Sequence, residues 1–302
     1  MKVSVIVVSV DGPKKIRHLL TSLKKQVYKK FELLIGYNGN GYTSVIEKFK
    51  ENENINFLKF DIKNNSAIKN KLTSVASGDI IAFSDDDCIA DKLWIKNAVK
   101  LFQKYTKVSM VFGTTLPYEP TKNRGKECPC TITHKKISFF SKINNHSKKI
   151  GFGNNMFLRK KVLLELGGFF EYLGPGSSGK SGEDAELILR LFNKRYLLAT
   201  CPNAIIYHNK WLGRRKSEKL YIEYLFGGLV TYGIYLLMGE KSAFRIIIAQ
   251  ISDYLQFLKN SGGINKFINK ANIYYLFLVI FTVVRSVFYL VPTYVMYRKR
   301  FS

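Results

Sequence analysis

The feature that most constrains the fold of this chain is an alternation of short apolar runs and amphipathic segments over residues 3–84. The apolar runs, each of strand length, are VSVIVVSV (3–10), FELLIGYN (31–38), INFLKF (55–60) and DIIAFS (79–84). The segments between them place apolar residues at helical spacing and cover 14–27, 44–52 and 66–76. A β-α-β-α order of this kind predicts an α/β fold, with a parallel sheet and helices on both faces.

The later sequence continues the pattern and then changes character. The predicted elements are a helix (91–105), a strand (108–116), a glycine turn, strand and helix (151–169), a helix (185–194) and a strand pair (197–208), with loops at 117–149 and 174–184. After about residue 211 the chain is strongly apolar, with helical segments at 221–239, 243–258 and 273–291. We therefore predict an α/β domain over 1–210 and a helical region over 211–302.

The chain is strongly basic, because 48 Lys and Arg against 22 Asp and Glu give a formal net charge of +26. Such an excess favours polyanionic partners: nucleic acid, an anionic membrane surface or phosphorylated substrates. The basic residues are spread along the chain and form no nucleic-acid-binding module, so we expect no nucleic-acid partner. A hydrophobic content of 46% excludes a disordered chain.

The four cysteines (Cys88, Cys128, Cys130 and Cys201) have spacings that fit no zinc module, and we expect reduced thiols in a reducing compartment. The first ten residues lack a small-residue cleavage site, so they predict a strand and not a signal peptide.

Three consecutive aspartates, Asp85, Asp86 and Asp87, directly follow the fourth apolar run. Mg²⁺ and Mn²⁺ bind carboxylate oxygens and share their coordination shell with substrate phosphates, so an Asp-x-Asp at a strand end suits such a metal. An acidic turn or a helix N-cap is the alternative. The parallel-sheet pattern favours the metal, because ligands bind beyond the carboxyl ends of such strands, where Asp11 and Tyr37-Asn38 also lie.

Three further groups are candidates for the same site. Glu183-Asp184 begins a predicted helix, where a carboxylate can serve as a general base or merely offset the helix dipole. His208 ends an apolar strand and is either structural or a supplementary metal ligand. Gly151 and Gly153 allow close approach of the backbone to a ligand, although a plain turn explains them equally well.

The order of these motifs resembles the family-2 glycosyltransferases with a GT-A fold, a Rossmann-like, mostly parallel sheet with helices on both faces. The resemblance covers roughly residues 1–210. The segments that carry it are SVIVVSVDGPKKIRHLLTSL, FELLIGYNGN, AIKNKL, ASGDIIAFSDDDC, GFGNNMFLRKKVLLELGGFFE, GEDAELILRL and PNAIIYH.

The resemblance implies roles for these residues. The metal, Mn²⁺ or Mg²⁺, would be held by Asp85, Asp87 and His208. Asp184, beside Glu183, would be the catalytic base, and the acceptor-side glycine loop would comprise Gly151, Gly153 and Asn154. The donor, a nucleotide-diphospho-sugar, would contact Ser9, Val10, Asp11, Tyr37, Asn38, Asn70, Asp85 and Asp86.

One position departs from the family pattern. Members often carry Asp after the second strand, where it contacts the nucleotide base, whereas this chain has Tyr37 followed by Asn38. Tyr could stack on the base instead, and the base, sugar, acceptor, linkage and oligomeric state are not predicted. The resemblance implies a metal-dependent, inverting hexosyltransferase that acts on a hydroxyl group of a glycan or lipid-linked acceptor.

The segment 273–291 is long enough to cross a membrane but carries Arg285 near its middle. Either a single C-terminal span or a peripheral helix fits, and the basic charge favours an anionic membrane surface. Because nucleotide sugars are cytoplasmic donors, we expect the protein at the cytoplasmic face of the cell membrane. The alternatives to a glycosyltransferase are a nucleotidyltransferase and a non-catalytic paralogue that binds polyanions or membranes.

Overall fold

The computed structural model describes residues 1–10, 12–13, 15–49, 54–142, 150–260 and 271–301, with the backbone alone at 259–260 and 271–276. Asp11, predicted at the nucleotide side, and part of the predicted 117–149 loop lie outside these residues.

Within the described residues, nine strands form one sheet. They are β1 (Val3–Ser9), β2 (Phe31–Tyr37), β3 (Ile55–Lys59), β4 (Ile80–Asp85), β5 (Cys88–Ala90), β6 (Val108–Pro117), β7 (Phe139–Phe140), β8 (Asn155–Arg159) and β9 (Leu197–His208). The order across the sheet is β3-β2-β1-β4-β8-β6-β9-β5, with β7 paired to β9.

Helices cover most of the remaining described chain. They are α1 (Ile16–Lys24), α2 (Thr43–Phe49), α3 (Asn65–Val75), α4 (Trp94–Lys104), α5 (Lys160–Glu165), α6 (Glu183–Asn193), α7 (Arg214–Leu237), α8 (Ser242–Asn260) and α9 (Ala271–Phe301).

The first half of the sheet is parallel, as the alternation predicts. Strand β1 pairs in parallel with β2 and β4, and β2 pairs in parallel with β3. The register sets Val8 opposite Asp85 and Ser9 opposite Tyr37. The carboxyl ends of β1, β2 and β4 therefore meet at one edge of the sheet.

The second half of the sheet is mixed. Strand β8 lies antiparallel between β4 and β6, because it begins at the site edge and runs back towards α5. The predicted strand pair 197–208 is one long strand, β9, which is parallel to β6 with irregular register near Gly113. The short β5 was not predicted, and it pairs Cys88 with His208.

Two hydrophobic layers cover the two faces of the sheet. Along β1, Val5 and Val7 face a layer built with α1, α2 and α4, whereas Ile6 and Val8 face a layer built with α3, α5 and α6. The alternation follows from the two-residue period of a strand. This arrangement confirms the predicted α/β class with helices on both faces.

The C-terminal helices pack on the α6 side of the sheet. Phe226 and Val230 of α7 share a buried cluster with Leu189 of α6 and Tyr297 of α9. By length and composition, Arg214–Leu237 and Phe277–Phe301 could each cross a membrane, but 61% of the first is buried within the protein against 22% of the second.

Candidate active site

The ends of β1 and β2 form a polar cluster around Ser9. Its hydroxyl donates to Asp86 Oδ2 at 2.5 Å and lies 2.9 Å from the hydroxyl of Tyr42. The rings of Tyr37 and Tyr42 are 4.7 Å apart, and Asn38 donates to the carbonyl of Phe60 at 2.7 Å. Tyr42, which the sequence did not identify as a candidate, contacts the end of β1 through its hydroxyl group.

Asp86 is buried beneath this cluster. Burial raises its pKa to about 7, against the opposing effect of the hydrogen bond from Ser9. Its carboxyl group therefore lies at the carboxyl edge of the parallel strands, together with Ser9, Tyr37 and Asn38. Val10, the other described residue predicted for this side, packs against the apolar layer that contains Val8.

Asp87 and His208 form a buried pair at the ends of the adjacent β4–β5 turn and β9. His208 Nε2 lies 3.1 Å from Asp87 Oδ1, and His208 Nδ1 lies 2.8 Å from the carbonyl oxygen of Pro129. The carbonyl oxygen can only accept, so Nδ1 carries a proton and Nε2 faces the carboxylate. Burial opposes protonation of His208, but the hydrogen bond with Asp87 raises its pKa to about 10.

This geometry suits a hard divalent cation. One atom each of Asp87, Cys88 and His208 lie within 4.8 Å of one another. Cys88 belongs to the apolar layer beneath the sheet, and burial raises the pKa of its thiol well above its usual value. A protonated thiol is a poor ligand for such a cation, so the carboxylate of Asp87 and the imidazole of His208 are the donors of this group that suit Mn²⁺ or Mg²⁺. Asp85, the third predicted ligand, is not one of the three residues of this group.

Asp184 is fixed at the first turn of α6. Its Oδ2 accepts from the backbone N–H of Gly153 at 3.0 Å, and its Oδ1 accepts from the N–H of Ala185 at 2.8 Å. Gly182 precedes it with φ of 96°, a conformation that side chains rarely adopt. The glycine loop and the helix start therefore hold this carboxylate in one place.

Glu183 has different surroundings from its neighbour. It is buried, and Lys69 Nζ lies 3.4 Å from its Oε1. Burial raises the pKa of Glu183, while Lys69 lowers it. Of the two acidic residues, Glu183 is thus the one that forms an ion pair with a lysine of α3.

Asp85 and Asp184 both line a cavity of about 500 Å³. Glu183, Gly151, Gly153 and Asn154 line it as well. The carboxyl-edge residues Ser9, Tyr37, Asp86, Asp87 and His208 do not line it. Asp85, at the end of β4, therefore lies between the polar cluster around Ser9 and the cavity.

Several predicted residues also have structural reasons for their identity. A Cβ atom at position 151 would lie 2.3 Å from the ring of Phe112, so only glycine fits there. The side chain of Asn154 bonds to Thr115 and to the carbonyl of Cys130.

Asn70, predicted at the nucleotide site, does not line this cavity. It donates to the carbonyl of Phe169 at 2.9 Å and to Glu171 at 2.8 Å, and so ties α3 to the chain after α5. Asn65 and Lys69, on the same helix, line the cavity instead. Their spacing of four residues, one helical turn, is the signal by which the sequence could have identified them.

The cavity extends to the helical region. Residues from α7 and α8 form its far wall: Leu220, Glu223, Tyr224, Gly228, Tyr232 and Gln250.

Comparison with known proteins identifies the family of this chain and relatives of its fold. Residues 4–167 match the family described as Glycosyl transferase family 2. Two curated relatives from Haloferax volcanii are a glucosyl-dolichyl phosphate glucuronosyltransferase, 23% identical over 64% of both chains, and the glycosyltransferase AglE, 27% identical over 58% of both chains. The matched part thus spans less than two thirds of either relative.

Solved structures share the fold. S. aureus TarS 1–349 in complex with UDP-GlcNAc has a TM-score of 0.66 at 17% identity, covering 97% of this chain and 81% of TarS 1–349. The mannosyltransferase PcManGT from Pyrobaculum calidifontis, in complex with GDP-Man and Mn²⁺, has a TM-score of 0.61 at 14% identity, covering 95% and 87% of the two chains.

Proposed function

Since this chain belongs to glycosyl transferase family 2, we propose that it transfers a sugar from a nucleotide-diphospho-sugar to a hydroxyl group of a glycan or lipid-linked acceptor, in a metal-dependent, inverting reaction. The observation that carries the proposal is the placement of two carboxylates, Asp85 and Asp184, on one cavity at the carboxyl edge of the sheet. The α/β domain over 1–210 would bind the donor, and the helical region over 211–302 would complete the site and associate with a membrane.

The donor nucleotide would occupy the cluster at the ends of β1 and β2. The ring of Tyr37, held against Tyr42, offers an aromatic face for the base, and Asp86 with Ser9 offers polar groups for a ribose. Asn70 would act indirectly, through its hydrogen bonds to Phe169 and Glu171 in the segment after α5. The solved complexes of TarS with UDP-GlcNAc and of PcManGT with GDP-Man support this class of donor.

The residues that would hold Mn²⁺ or Mg²⁺ are Asp85, Asp87 and His208. When bound, the cation would neutralise charge on the diphosphate leaving group. The neutral form of His208 with its proton on Nδ1, which the Pro129 carbonyl favours, leaves Nε2 available as a ligand.

Asp184 would accept the proton of the attacking hydroxyl group. The two backbone N–H groups on its oxygens fix its direction, and a lone pair on each oxygen stays available. Attack of the hydroxyl on the anomeric carbon, opposite the leaving diphosphate, inverts the configuration without a covalent enzyme intermediate. Glu183, next to it, would keep Lys69 in place at the cavity wall.

A thermal-shift screen of nucleotides and nucleotide sugars with Mn²⁺ tests this proposal. One nucleoside diphosphate should stabilise the wild type only when the metal is present, and the Asp85→Ala/Asp87→Ala double variant should lose that effect. The control is Asp79→Asn, at the opposite end of β4, where the carboxylate binds the backbone N–H of Lys2. A folded wild type that responds to no nucleotide would refute the metal-dependent function.

For location, we propose peripheral docking of α9 on the cytoplasmic face of the cell membrane. One side of α9 packs on the protein: the hydroxyls of Tyr297 and Tyr235 are 2.9 Å apart, and the guanidinium of Arg285 lies 4.6 Å from the ring centre of Phe226. The other side is apolar and exposed at Phe277, Ile280, Phe281, Val284, Val287, Phe288, Val291 and Val295. A helix fixed along the protein in this way favours a surface helix over a single span.

Sedimentation with phosphatidylglycerol vesicles tests the docking. Phe281→Glu/Phe288→Glu, at side chains 53% and 80% exposed, should abolish binding without lowering the melting temperature. Val75→Glu, at an equally exposed residue of α3, is the control. Equal binding of the double variant and the wild type would contradict the proposal, and equal binding to neutral vesicles would remove the role of anionic lipid.

A further inference from the structure

The far wall of the cavity carries chemistry that the proposed reaction does not yet use. We propose that Glu223, Tyr224 and Gln250 bind the terminal sugar of the acceptor through its hydroxyl groups, so that the acceptor ends in a sugar and not in a bare lipid phosphate. This inference rests on the proposed function and defines the substrate class of the same site.

The position of this wall assigns it to the acceptor. The cavity begins at Asp85 and Asp184 and excludes the donor-side residues Ser9 and Tyr37. A group bound between Asp184 and α7 therefore lies on the side of the proposed base away from the nucleotide, where the attacking molecule has to enter.

The polar atoms of the wall suit a partner that donates hydrogen bonds. Gln250 Oε1 is buried and has no hydrogen-bond partner among the residues that the structure describes, and a buried acceptor without a donor is unfavourable. Glu223 adds a carboxylate close by on the same wall. Sugar hydroxyls donate and accept, so they can satisfy both groups.

A phosphate group suits the same atoms poorly. Its ionised oxygens only accept, and they would meet the like charges of Glu223 and Asp184. Three lysines also line the cavity. Lys69 is paired with Glu183, and Lys210 follows β9 close to Asp87, so Lys180 is the lysine that a phosphate acceptor would have to use.

Contacts between α7, α8 and the segment before Asp184 hold the wall in position relative to the proposed base. Gly228 lets Gln250 lie against α7, since a Cβ atom there would be 2.4 Å from the amide of that side chain. Ser181, three residues before Asp184, donates its hydroxyl to the carbonyl of Glu223 at 2.9 Å. The Tyr224 hydroxyl lies 3.1 Å from Cys130 Sγ, which fixes the tyrosine across the cavity.

The experiment measures release of nucleoside diphosphate by the full chain from its best donor under three conditions. These are no acceptor, a panel of methyl glycosides (glucose, mannose, galactose, N-acetylglucosamine, glucuronic acid), and citronellyl phosphate, a lipid phosphate without a sugar. The variants are Gln250→Ala, Glu223→Gln and Lys180→Ala. The matched control is Gln256→Ala, on the exposed side of the same helix.

The proposal expects at least one glycoside to accelerate release. Gln250→Ala and Glu223→Gln should each raise the KM for that glycoside about five- to tenfold, as loss of one hydrogen bond does. Donor hydrolysis without acceptor, the donor KM and the melting temperature should stay at wild-type values, and Gln256→Ala and Lys180→Ala should leave the glycoside KM unchanged.

Three results would overturn it. They are acceleration by citronellyl phosphate that depends on Lys180, no acceleration by any glycoside, and an unchanged glycoside KM in both wall variants. In each case wild-type donor hydrolysis would show that the chain still uses a nucleotide-diphospho-sugar, and only acceleration by citronellyl phosphate would also replace the hydroxyl group of the proposed acceptor by a phosphate oxygen. Absence of donor hydrolysis and of nucleotide binding would instead refute the proposed function itself.

Discussion

Two consecutive glycines of α7 should respond very differently to the same small substitution. A Cβ atom at Gly227 would lie 2.2 Å from Ser181 Oγ and 2.4 Å from the Ser181 carbonyl oxygen. A Cβ atom at Gly228 would lie 2.4 Å from the Gln250 amide, the far end of a flexible side chain. The first contact includes backbone that has to move, whereas the second can be relieved by one side-chain rotation.

The size of the effect at Gly227 follows from these distances. Ordinary contact begins at 3.4 Å, so the Ser181 carbonyl must move by about 1 Å. Overpacking of this kind costs about 1–3 kcal/mol, and the gain in helix propensity from Gly to Ala offsets about 1 kcal/mol of it. We expect Gly227→Ala to lower the free energy of unfolding by no more than about 2 kcal/mol.

Activity should fall much further than stability. Ser181 lies three residues before Asp184, and a displacement of about 1 Å at a catalytic group can cost about a hundredfold in rate. The measurement compares kcat for transfer with the thermal melting temperature. Gly227→Ala should lose about a hundredfold in kcat with a melting temperature only a few degrees lower, since about 1 kcal/mol shifts a large domain by roughly 2–4 °C.

Gly228→Ala is the matched control for this reasoning. It should keep donor hydrolysis at the wild-type rate and affect only the glycoside KM, through displacement of Gln250. A Gly227→Ala protein with wild-type kcat would refute the idea that α7 sets the position of Asp184. Equal loss of donor hydrolysis in the two variants would refute the distinction between backbone and side-chain contact.

Three further predictions concern charged groups. Asp184→Asn should lower kcat, measured from initial rates, by about 10²–10⁴-fold. Metal-dependent nucleotide binding, measured by thermal shift, should persist, and loss of nucleotide binding together with kcat would contradict the role of Asp184 as base. In EDTA, the raised pKa of His208 adds stability that is complete below about pH 6.5 and is lost as the pH rises towards about 10. Between pH 7 and 9, the free energy of unfolding in urea should therefore fall with pH more steeply for the wild type than for His208→Ala, by at most about 1.4 kcal/mol per pH unit. Parallel curves for the two proteins would contradict the pair of His208 with Asp87. Arg190→Met should lower the free energy of unfolding by about 3–5 kcal/mol, because it leaves Glu186 buried without its two 2.6 Å hydrogen bonds from Arg190. The double variant Glu186→Leu/Arg190→Met should lose less, and a larger loss in the double variant would contradict this account.

Much of the fold could be predicted because its signals are local. The strand at Val3–Ser9 is buried at all seven positions, as its unbroken apolar run indicates. The placement of Asp85 and Tyr37 at one edge then followed from the rule that parallel strands share an edge. The antiparallel strand β8 broke the pattern, because its direction depends on where the chain enters the sheet and not on its own residues.

The contacts inside the site could not be predicted in the same way. Asp87 and His208 are 121 positions apart, and Gly182 meets Thr231 of a helix that looked like a separate region. Such contacts depend on how helices pack after the sheet has formed, for which a single sequence carries no periodic signal. The side chain of Lys69 lines the cavity and that of its neighbour Asn70 does not, because one residue on a helix turns the side chain by about 100°.

Four of the carboxylates of the site fall into two kinds by their ion pairs. Asp87 is paired with His208 and Glu183 with Lys69, and these ion pairs offset the cost of burying two of the charges. Asp85 and Asp184 take part in no ion pair among the described residues, and both line the cavity. Within the described residues, two carboxylates without an ion-pair partner therefore line one cavity, and under the proposed function a cation near Asp85 and a hydroxyl proton near Asp184 would complete this arrangement.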